Sequence, residues 1–246
     1  MRVWLLMFLI FNTSVFAKTI KVAAIDWCPQ ICPKQTEKGY VIDLVEEIYR
    51  NSDYQLKIDY FPWSRAIKYV LAGKYHALLA PAKAEAPQLR YPNTAVGQQE
   101  MCFFTTADNQ WQYRGVDSLN KMQIGIAIDT SIEELNQYVS NHTEQFVFQP
   151  YHERYIKQSA QMLSKKRIDA FLFTKNSTRY ELKQANMWHD YKLAGCVSRT
   201  EIFMAFTPAT KNQHSIDAMM QTFDTRAAQL NSQRLIQQLL TKYNLQ

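Results

Sequence analysis

The hydrophobic positions follow two periods along the chain, one typical of strands and one typical of helices. Residues 18–25 alternate as a buried strand does, and Val41, Leu44, Val45 and Ile48 recur on one helical face. Three more segments continue the order: a strand at 56–62, a helix at 64–71 that Ser64 caps and Gly73 ends, and a strand at 76–80. The order β-α-β-α-β predicts parallel strands joined by right-handed crossovers.

A second unit of the same order begins after residue 115. A strand at 123–128 leads into D-T-S-I-E-E-L, where Thr130 or Ser131 caps a helix and Glu133 or Glu134 completes a capping box. A strand at 146–148, a helix at 153–165 and a strand at 168–173 complete the unit. The segment L-A-G-K-Y-H-A-L-L-A at 71–80 is similar to L-S-K-K-R-I-D-A-F-L-F at 163–173, with one inserted residue. The sequence therefore predicts two similar α/β lobes.

Two extended apolar segments, 101–106 and 196–206, lie where the chain leaves each lobe, and we interpret them as hinge strands. Residues 215–243 are predicted to form one helix that packs back on the first lobe. Its expected core residues are Met219, Phe223, Leu230, Leu235 and Leu239. The predicted organisation is lobe 1 at 18–104, lobe 2 at 105–198, and a return to lobe 1 at 199–246.

The N-terminus has the pattern of a secretory signal peptide. Arg2 precedes an apolar run at 3–11, and Val15 and Ala17 suit the −3 and −1 positions of a signal-peptidase site. We expect residues 1–17 to be removed on export. An uncleaved anchor is the alternative, but the run is about half of the ~20 residues that span a bilayer.

Four cysteines are present, at positions 28, 32, 102 and 196. In an oxidising compartment they are expected to form two disulfides, for which three pairings exist. The local pairing, Cys28 with Cys32, leaves Cys102 with Cys196, and we favour it. A redox C-x-x-C motif has two intervening residues, whereas this pair has three. Cys102 and Cys196 are too far apart in sequence for the second ligand pair of a structural zinc site, so no metal is predicted.

Composition excludes some classes of function. Apolar residues make up 47% of the chain, which is sufficient for a core, and the formal net charge is +6. The Lys and Arg residues are scattered rather than gathered in a stripe, so no nucleic-acid partner is predicted. A positive surface favours anionic solutes by steering.

Several short motifs occur in a characteristic order: G-Y-V-I-D-L-V-E-E-I at 39–48, P-W-S-R-A-I at 62–67, L-A-G-K-Y-H-A-L-L-A at 71–80, K-R-I-D-A at 166–170 and L-L-T-K-Y at 239–243. Together they resemble extracellular solute-binding family 3, the periplasmic binding proteins of polar amino-acid transporters. The segments W-C-P at 27–29, K-A-E-A-P at 83–87 and W-Q-Y at 111–113 resemble a poorly characterised branch of it.

The resemblance implies a periplasmic binding protein type II fold, with two Rossmann-like lobes joined by two hinge strands. It implies a monomer in the periplasm that closes over a small polar solute, such as an amino acid, and delivers it to an ABC permease in the inner membrane. A sensor that presents its closed form to a membrane receptor is the first alternative. The resemblance implies no cofactor.

Ligands of open α/β sheets bind beyond the carboxyl ends of the strands, near helix N-termini. Trp27 and Trp63 are expected to stack on the ligand, and Arg65 is expected to hold a carboxylate. The Cys28–Cys32 bridge would hold the first of these tryptophans at the rim of the site. The full set of predicted ligand-binding residues is Asp26, Trp27, Tyr40, Trp63, Arg65, Lys83, Glu85, Thr130, Ser131 and Lys175.

The sequence departs from the family at the two residues that grip an amino acid. The arginine that binds the α-carboxylate corresponds to Glu85, and the acid that binds the α-amino group would fall near Thr174 or Lys175. A clamp of reversed polarity is one hypothesis, with Lys83, Arg65 or Lys175 on a carboxylate and Glu85 on an amine.

An enzyme on the same scaffold is the remaining alternative, because the family also resembles periplasmic dehydratases that use a carboxylate in the cleft. Asp26 or Glu85 would be the acid or base if burial raised its pKa. The sequence contains no recognisable catalytic motif, and its five histidines have no metal-ligand spacing. We therefore predict a binding protein without catalytic residues.

Overall fold

A computed structural model of the protein describes residues 17–128, 130, 132–209, 211 and 213–245. The predicted signal peptide falls almost wholly outside these residues, and so does Ser131. Among the helices of the described ranges, none combines the length and the apolar character needed to span a membrane.

Eight strands form one continuous sheet in the order β2-β1-β3-β8-β4-β7-β5-β6. The strands are β1 (Lys18–Ala24), β2 (Tyr54–Tyr60), β3 (Ala77–Ala82), β4 (Gly97–Thr106), β5 (Ile124–Ala127), β6 (Phe146–Gln149), β7 (Ala170–Thr174) and β8 (Tyr191–Phe206). In each half of the sheet, three parallel strands are followed by an antiparallel fourth. This symmetry agrees with the repeat in the sequence.

Seven α-helices cover the described parts of the sheet: α1 (Tyr40–Tyr49), α2 (Trp63–Leu71), α3 (Asn136–Asn141), α4 (Tyr155–Ser164), α5 (Lys175–Gln184), α6 (Gln213–Gln229) and α7 (Ser232–Lys242). We define lobe 1 as β1–β3 with α1, α2, α6 and α7, and lobe 2 as β5–β7 with α3–α5. The strands β4 and β8 belong to both lobes. The predicted boundaries at 104 and 198 fall inside these two strands.

The long strands β4 and β8 pair antiparallel along nearly their whole length, from Gly97 opposite Ile202 to Thr106 opposite Tyr191. The pairing shifts register on both sides of Cys102, which lies opposite Cys196 and is bridged to it. The other disulfide joins Cys28 to Cys32. Both predicted disulfides are therefore confirmed.

The C-terminal segment differs from the single helix that its apolar pattern predicts. The first helix, α6, ends at Gln229, and Asn231 follows with a left-handed φ of 49°. The Asn231 side chain accepts a hydrogen bond from the backbone N–H of Arg234 as the N-cap of α7. Asparagine suits both the left-handed position and the cap. Both helices pack on lobe 1, with Met219 and Phe223 buried and Leu230, Leu235 and Leu239 partly buried.

Two predicted helix starts were wrong in detail. The second helix begins at Trp63 with Pro62 as its N-cap, so Ser64 lies inside the first turn instead of capping it. In lobe 2 the segment after Thr130 forms a short 3₁₀ turn, Glu133–Leu135, before α3 begins at Asn136. The Asn136 side chain accepts a hydrogen bond from the Ile132 N–H at 3.1 Å.

Candidate functional site

The two lobes enclose a cleft of about 650 Å³ at the carboxyl ends of the parallel strands. Lobe 1 contributes residues that follow β1, β2 and β3, among them Asp26, Trp63 and Glu85. Lobe 2 contributes residues that follow β5, β6 and β7. The ends of parallel strands leave backbone and side-chain groups free for a ligand, which explains why the cleft lies here.

Aromatic side chains from both lobes line the cleft, and its exposed surface is mainly apolar. Some of these side chains contact other rings. The ring of Phe61 meets Tyr69 and Tyr75 edge-on, and Tyr151 stacks on Phe173 with centroids 5.3 Å apart. These contacts restrict the rotation of the rings. The aromatic lining residues are Trp27, Tyr60, Phe61, Trp63, Tyr151 and Phe173.

The first wall of the cleft is the disulfide loop, which we define as residues 26–38. Besides the disulfide, Trp27 and Ile31 exchange two backbone hydrogen bonds of 2.8 and 2.9 Å. The carbonyl oxygens of Pro29 and Gln30 accept from the first two N–H groups of α1, at 3.1 and 3.0 Å. The loop thus caps α1, and these N–H groups are satisfied within lobe 1.

Gly39 joins the disulfide loop to α1 and is expected to tolerate no side chain. Its φ is 101°, and a Cβ there would lie 2.4 Å from the carbonyl oxygen of Gln30. We expect Gly39→Ala to lower the free energy of unfolding by roughly 2 kcal/mol or more, from left-handed strain together with the backbone clash. Urea denaturation measures the loss. Gly115→Ala is the matched control, because its φ of 105° is similar but its Cβ would meet nothing within 4 Å.

The disulfide loop also contacts lobe 2. The indole N–H of Trp27 donates to the hydroxyl of Thr174 at 3.2 Å, and the amide of Gln30 donates to the hydroxyl of Ser177 at 3.3 Å. All four residues are buried. The structure therefore shows the lobes in contact, joined through the end of β7 and the start of α5.

At the rim, charged and phenolic groups continue this contact. The hydroxyl of Tyr151 in lobe 2 donates to the backbone carbonyl of Asp26 at 3.0 Å. The ammonium of Lys34 lies 2.6 Å from a carboxylate oxygen of Glu153 in lobe 2 and 3.9 Å from the carboxylate of Asp26. Asp26, Lys34 and Glu153 also line a neighbouring cavity of about 390 Å³, so they separate two hollows between the lobes.

The carboxylates of the cleft differ in environment. Partial burial raises the pKa of Asp26, which Lys34 opposes and Glu153 reinforces. The pKa of Glu153 is lowered by its hydrogen bond to Lys34. A carboxylate oxygen of Glu85 accepts from the backbone N–H of Ala82 at 2.9 Å, where β3 leaves its regular pairing. The cleft therefore holds its acids in defined positions.

No family model matches the sequence, and no curated protein matches it. Solved structures do match. A histidine kinase sensor domain with similarity to periplasmic binding proteins aligns over 93% of this chain and 96% of its own, with 14% identity and a TM-score of 0.73. The probable amino-acid ABC transporter extracellular-binding protein ytmK from Bacillus subtilis covers 93% and 98%, with 17% identity and a TM-score of 0.70.

The chain has the two-lobed fold of the periplasmic binding proteins. The predicted fold class is thereby confirmed. A third neighbour comes from a study of glutathione import via GshT and the cystine ABC importer TcyBC of Streptococcus mutans. It aligns over 92% of this chain and 94% of its own, with 16% identity and a TM-score of 0.73.

In this periplasmic-binding-protein fold, the structure brings five of the residues expected at the ligand to the cleft. They come from both lobes and from four separate segments of the chain. They are Asp26, Trp27, Trp63, Glu85 and Thr130.

Four other residues expected at the ligand lie outside the cleft. Tyr40 is buried, with its hydroxyl beneath Gly97. Arg65 is exposed, and since it is two residues from Trp63 it lies about 200° around the helix from that ring. Lys83 turns to the ring of Phe203, with its nitrogen 4.8 Å from the centroid. Lys175 pairs at 2.6 Å with Glu100 instead of pointing to the cleft.

Sequence reasoning missed several lining residues. Tyr60 ends β2 and Phe61 follows it, directly before the P-W-S-R motif, and Tyr151 and Glu153 follow β6 in the same way. The rule that ligands bind beyond the strand ends applies to them equally. The signal was therefore present, but the strand before Tyr151 is only four residues long and ends in a segment without a recognised motif.

Proposed function

We propose that the protein binds a small solute between its lobes in the periplasm and delivers it to an ABC transporter of the inner membrane. The observation that carries the proposal is the cleft, whose walls come from both lobes. A solute that contacts both walls binds the closed arrangement more tightly than an open one, and so shifts the population toward closure.

The structural neighbours support this role. They include arginine-bound ArgBP from T. maritima, which aligns over 86% of this chain with a TM-score of 0.65, and AbpA from Streptococcus pneumoniae bound to L-arginine. These neighbours are named as binding proteins rather than as enzymes. We infer that the chain acts by binding and closure, as an exported monomer that releases its solute unchanged.

The first test purifies the protein from the periplasm and identifies any bound small molecule by native mass spectrometry. Thermal denaturation with candidate solutes then measures which of them stabilise the protein. We expect one bound molecule per chain that is released unchanged. At a hundredfold excess over Kd, the right solute raises the free energy of unfolding by about 2.7 kcal/mol. Turnover of the solute would instead favour an enzyme.

Two exposed aromatic residues give a matched pair of variants for this experiment. Tyr60 lines the cleft and is 39% exposed, whereas Phe148 is 46% exposed and lies outside it. Because both rings are exposed, neither substitution by alanine should unfold the protein. Tyr60→Ala should weaken the stabilisation by the solute, and Phe148→Ala should leave it unchanged. Equal effects of the two variants would count against binding in the cleft.

A sensor is the second candidate, and the match to the histidine kinase sensor domain favours it. Both functions begin with the same binding step but differ in the partner of the closed form. Crosslinking of the solute-loaded protein in membranes distinguishes them. Capture of a permease supports transport, and capture of a receptor with a kinase domain supports sensing.

A further inference from the structure

The cleft has the chemistry of a site for an organic cation. We propose that its solute is an amine or quaternary ammonium on an apolar or aromatic body, with no carboxylate beside the charged nitrogen. This inference rests on the proposed function, since it names the class of solute that the same cleft takes.

The walls of the cleft are rich in aromatic rings. Tyr60, Phe61 and Trp63 lie together at the end of β2 and the start of α2, and Phe173 and Tyr151 lie in lobe 2. The face of an aromatic ring carries partial negative charge and attracts a cation within about 6 Å of its centroid. Such rings also remove the apolar part of a solute from water. A wall of this composition suits a ligand that is both apolar and cationic.

The charged groups that line the cleft are mostly acidic. Among the described lining residues, three carry carboxylates, Asp26, Glu85 and Glu153, and one carries an ammonium, Lys34. That ammonium is already held by Glu153 at 2.6 Å. The local field therefore favours a positive solute. The overall charge of +6 does not reverse this preference, because exposed charges beyond about 8–10 Å are screened at ordinary salt.

The cations that were expected to bind a carboxylate lie outside the lining of the cleft. Lys83 lies against Phe203, Lys175 pairs with Glu100, and Arg65 is outside the described lining of the cleft. Of the residues in the reversed clamp, the acid expected to bind an amine, Glu85, lines the cleft. The cations expected to bind a carboxylate do not. An α-amino acid in this cleft would place its carboxylate near the acidic side chains. Among the described lining residues there is no guanidinium, and the one ammonium is already paired with Glu153, so repulsion would weaken binding.

Asp26 is the acid that a cation would affect most. Burial has removed part of its hydration and raised its pKa, and a bound cation would add a favourable partner to the Lys34 ammonium 3.9 Å away. As pH falls through this raised pKa, the carboxylate becomes neutral and affinity for a cation should fall. The groups that act electrostatically on Asp26 or share its surroundings are Lys34 of its own loop, Tyr60 of β2, Tyr151, His152, Glu153 and Arg154 before α4, Lys157 of α4, and Glu181 of α5.

Matched pairs of compounds provide the test. Isothermal titration calorimetry at pH 7 compares phenethylamine with phenylalanine, tyramine with tyrosine, and agmatine with arginine, and includes benzyltrimethylammonium. We expect at least one amine or ammonium to bind tenfold or more tightly than its carboxylate-bearing partner. Amino acids that bind as tightly as their amines would overturn the inference.

Isosteric variants locate the effect. Asp26→Asn and Glu85→Gln remove charge, and the glutamine retains an oxygen that accepts from the Ala82 N–H. At least one of them should weaken amine binding tenfold or more, while leaving the neutral analogue 2-phenylethanol unaffected. Glu47→Gln is the control, because Glu47 pairs with Arg50 on α1 outside the cleft. Unchanged amine affinity in both cleft variants would refute the assignment.

The outcomes also separate this inference from the proposed function. If amino acids or neutral solutes stabilise the protein and amines do not, solute binding stands and the cation assignment fails. If no compound of the series binds and the chain from the periplasm carries no small molecule, both fail. A retained amine identified by mass spectrometry supports both.

Discussion

Replacing Cys102 and Cys196 together by serine is expected to lower the free energy of unfolding by about 4–5 kcal/mol. The bridge spans 94 positions in sequence, so its loss frees a long loop in the unfolded chain. In the chain-entropy account, a loop of this length corresponds to about 4.7 kcal/mol at 25 °C. Guanidinium denaturation of the double-serine variant, with the wild type under the same oxidising conditions, measures the difference.

The other disulfide is the control. Cys28 and Cys32 are four positions apart, and the same account gives about 2 kcal/mol for a loop of that size. Serine at both positions should therefore cost less stability but should weaken ligand binding, because the disulfide loop forms a wall of the cleft. If the two double variants lose equal stability, the loop-length explanation fails.

Replacing Trp27 by alanine is expected to lower the free energy of unfolding by about 3–5 kcal/mol, the usual range for a buried aromatic residue. The indole is 7% exposed and packs in the core of lobe 1. The variant also loses the hydrogen bond to Thr174 that joins the lobes. We therefore expect a more open molecule, which small-angle X-ray scattering detects as a larger radius of gyration.

Two milder variants separate the effect of losing the packed Trp27 ring from the effect of losing the hydrogen bond between the lobes. Trp27→Phe keeps an aromatic ring without the N–H donor, and Thr174→Val removes the acceptor while keeping a similar shape. In a double-mutant cycle, the pair should show a coupling of about 0.5–1.5 kcal/mol. A coupling near zero, with scattering unchanged in Trp27→Ala, would show that this bond does not hold the lobes together.

The order of strands and helices was predictable because burial leaves a hydrophobic pattern in the sequence. Strands such as β3 and β7 are buried along their whole length, and the apolar face of α1 is continuous. The helix α5 was missed because its sequence, K-N-S-T-R-Y-E-L-K-Q, has no apolar stripe. Its buried residues are Ser177, Thr178 and Leu182, and small hydroxyl side chains give no hydrophobic signal.

The candidate site was predictable only in part, because a position beyond a strand end does not fix the direction of a side chain. Asp26 and Trp63 reach the cleft, whereas Lys83 and Lys175 turn away to partners that lie far off in sequence. Phe203 is 120 residues from Lys83, and Glu100 is 75 residues from Lys175. Pairings at such separations depend on the tertiary fold, which local patterns do not contain.

The strand β8 has a consequence for synthesis of the chain. Its first half pairs with the part of β4 that lies beside β7 of lobe 2. Its second half supplies the fourth strand of lobe 1, beside β3. Lobe 1 also needs α6 and α7, which are the last helices of the described chain. The lobe that emerges first from the ribosome is thus completed last, after all of lobe 2 has been translated. A chain with this connectivity can complete lobe 1 only once its C-terminal segment has been synthesised.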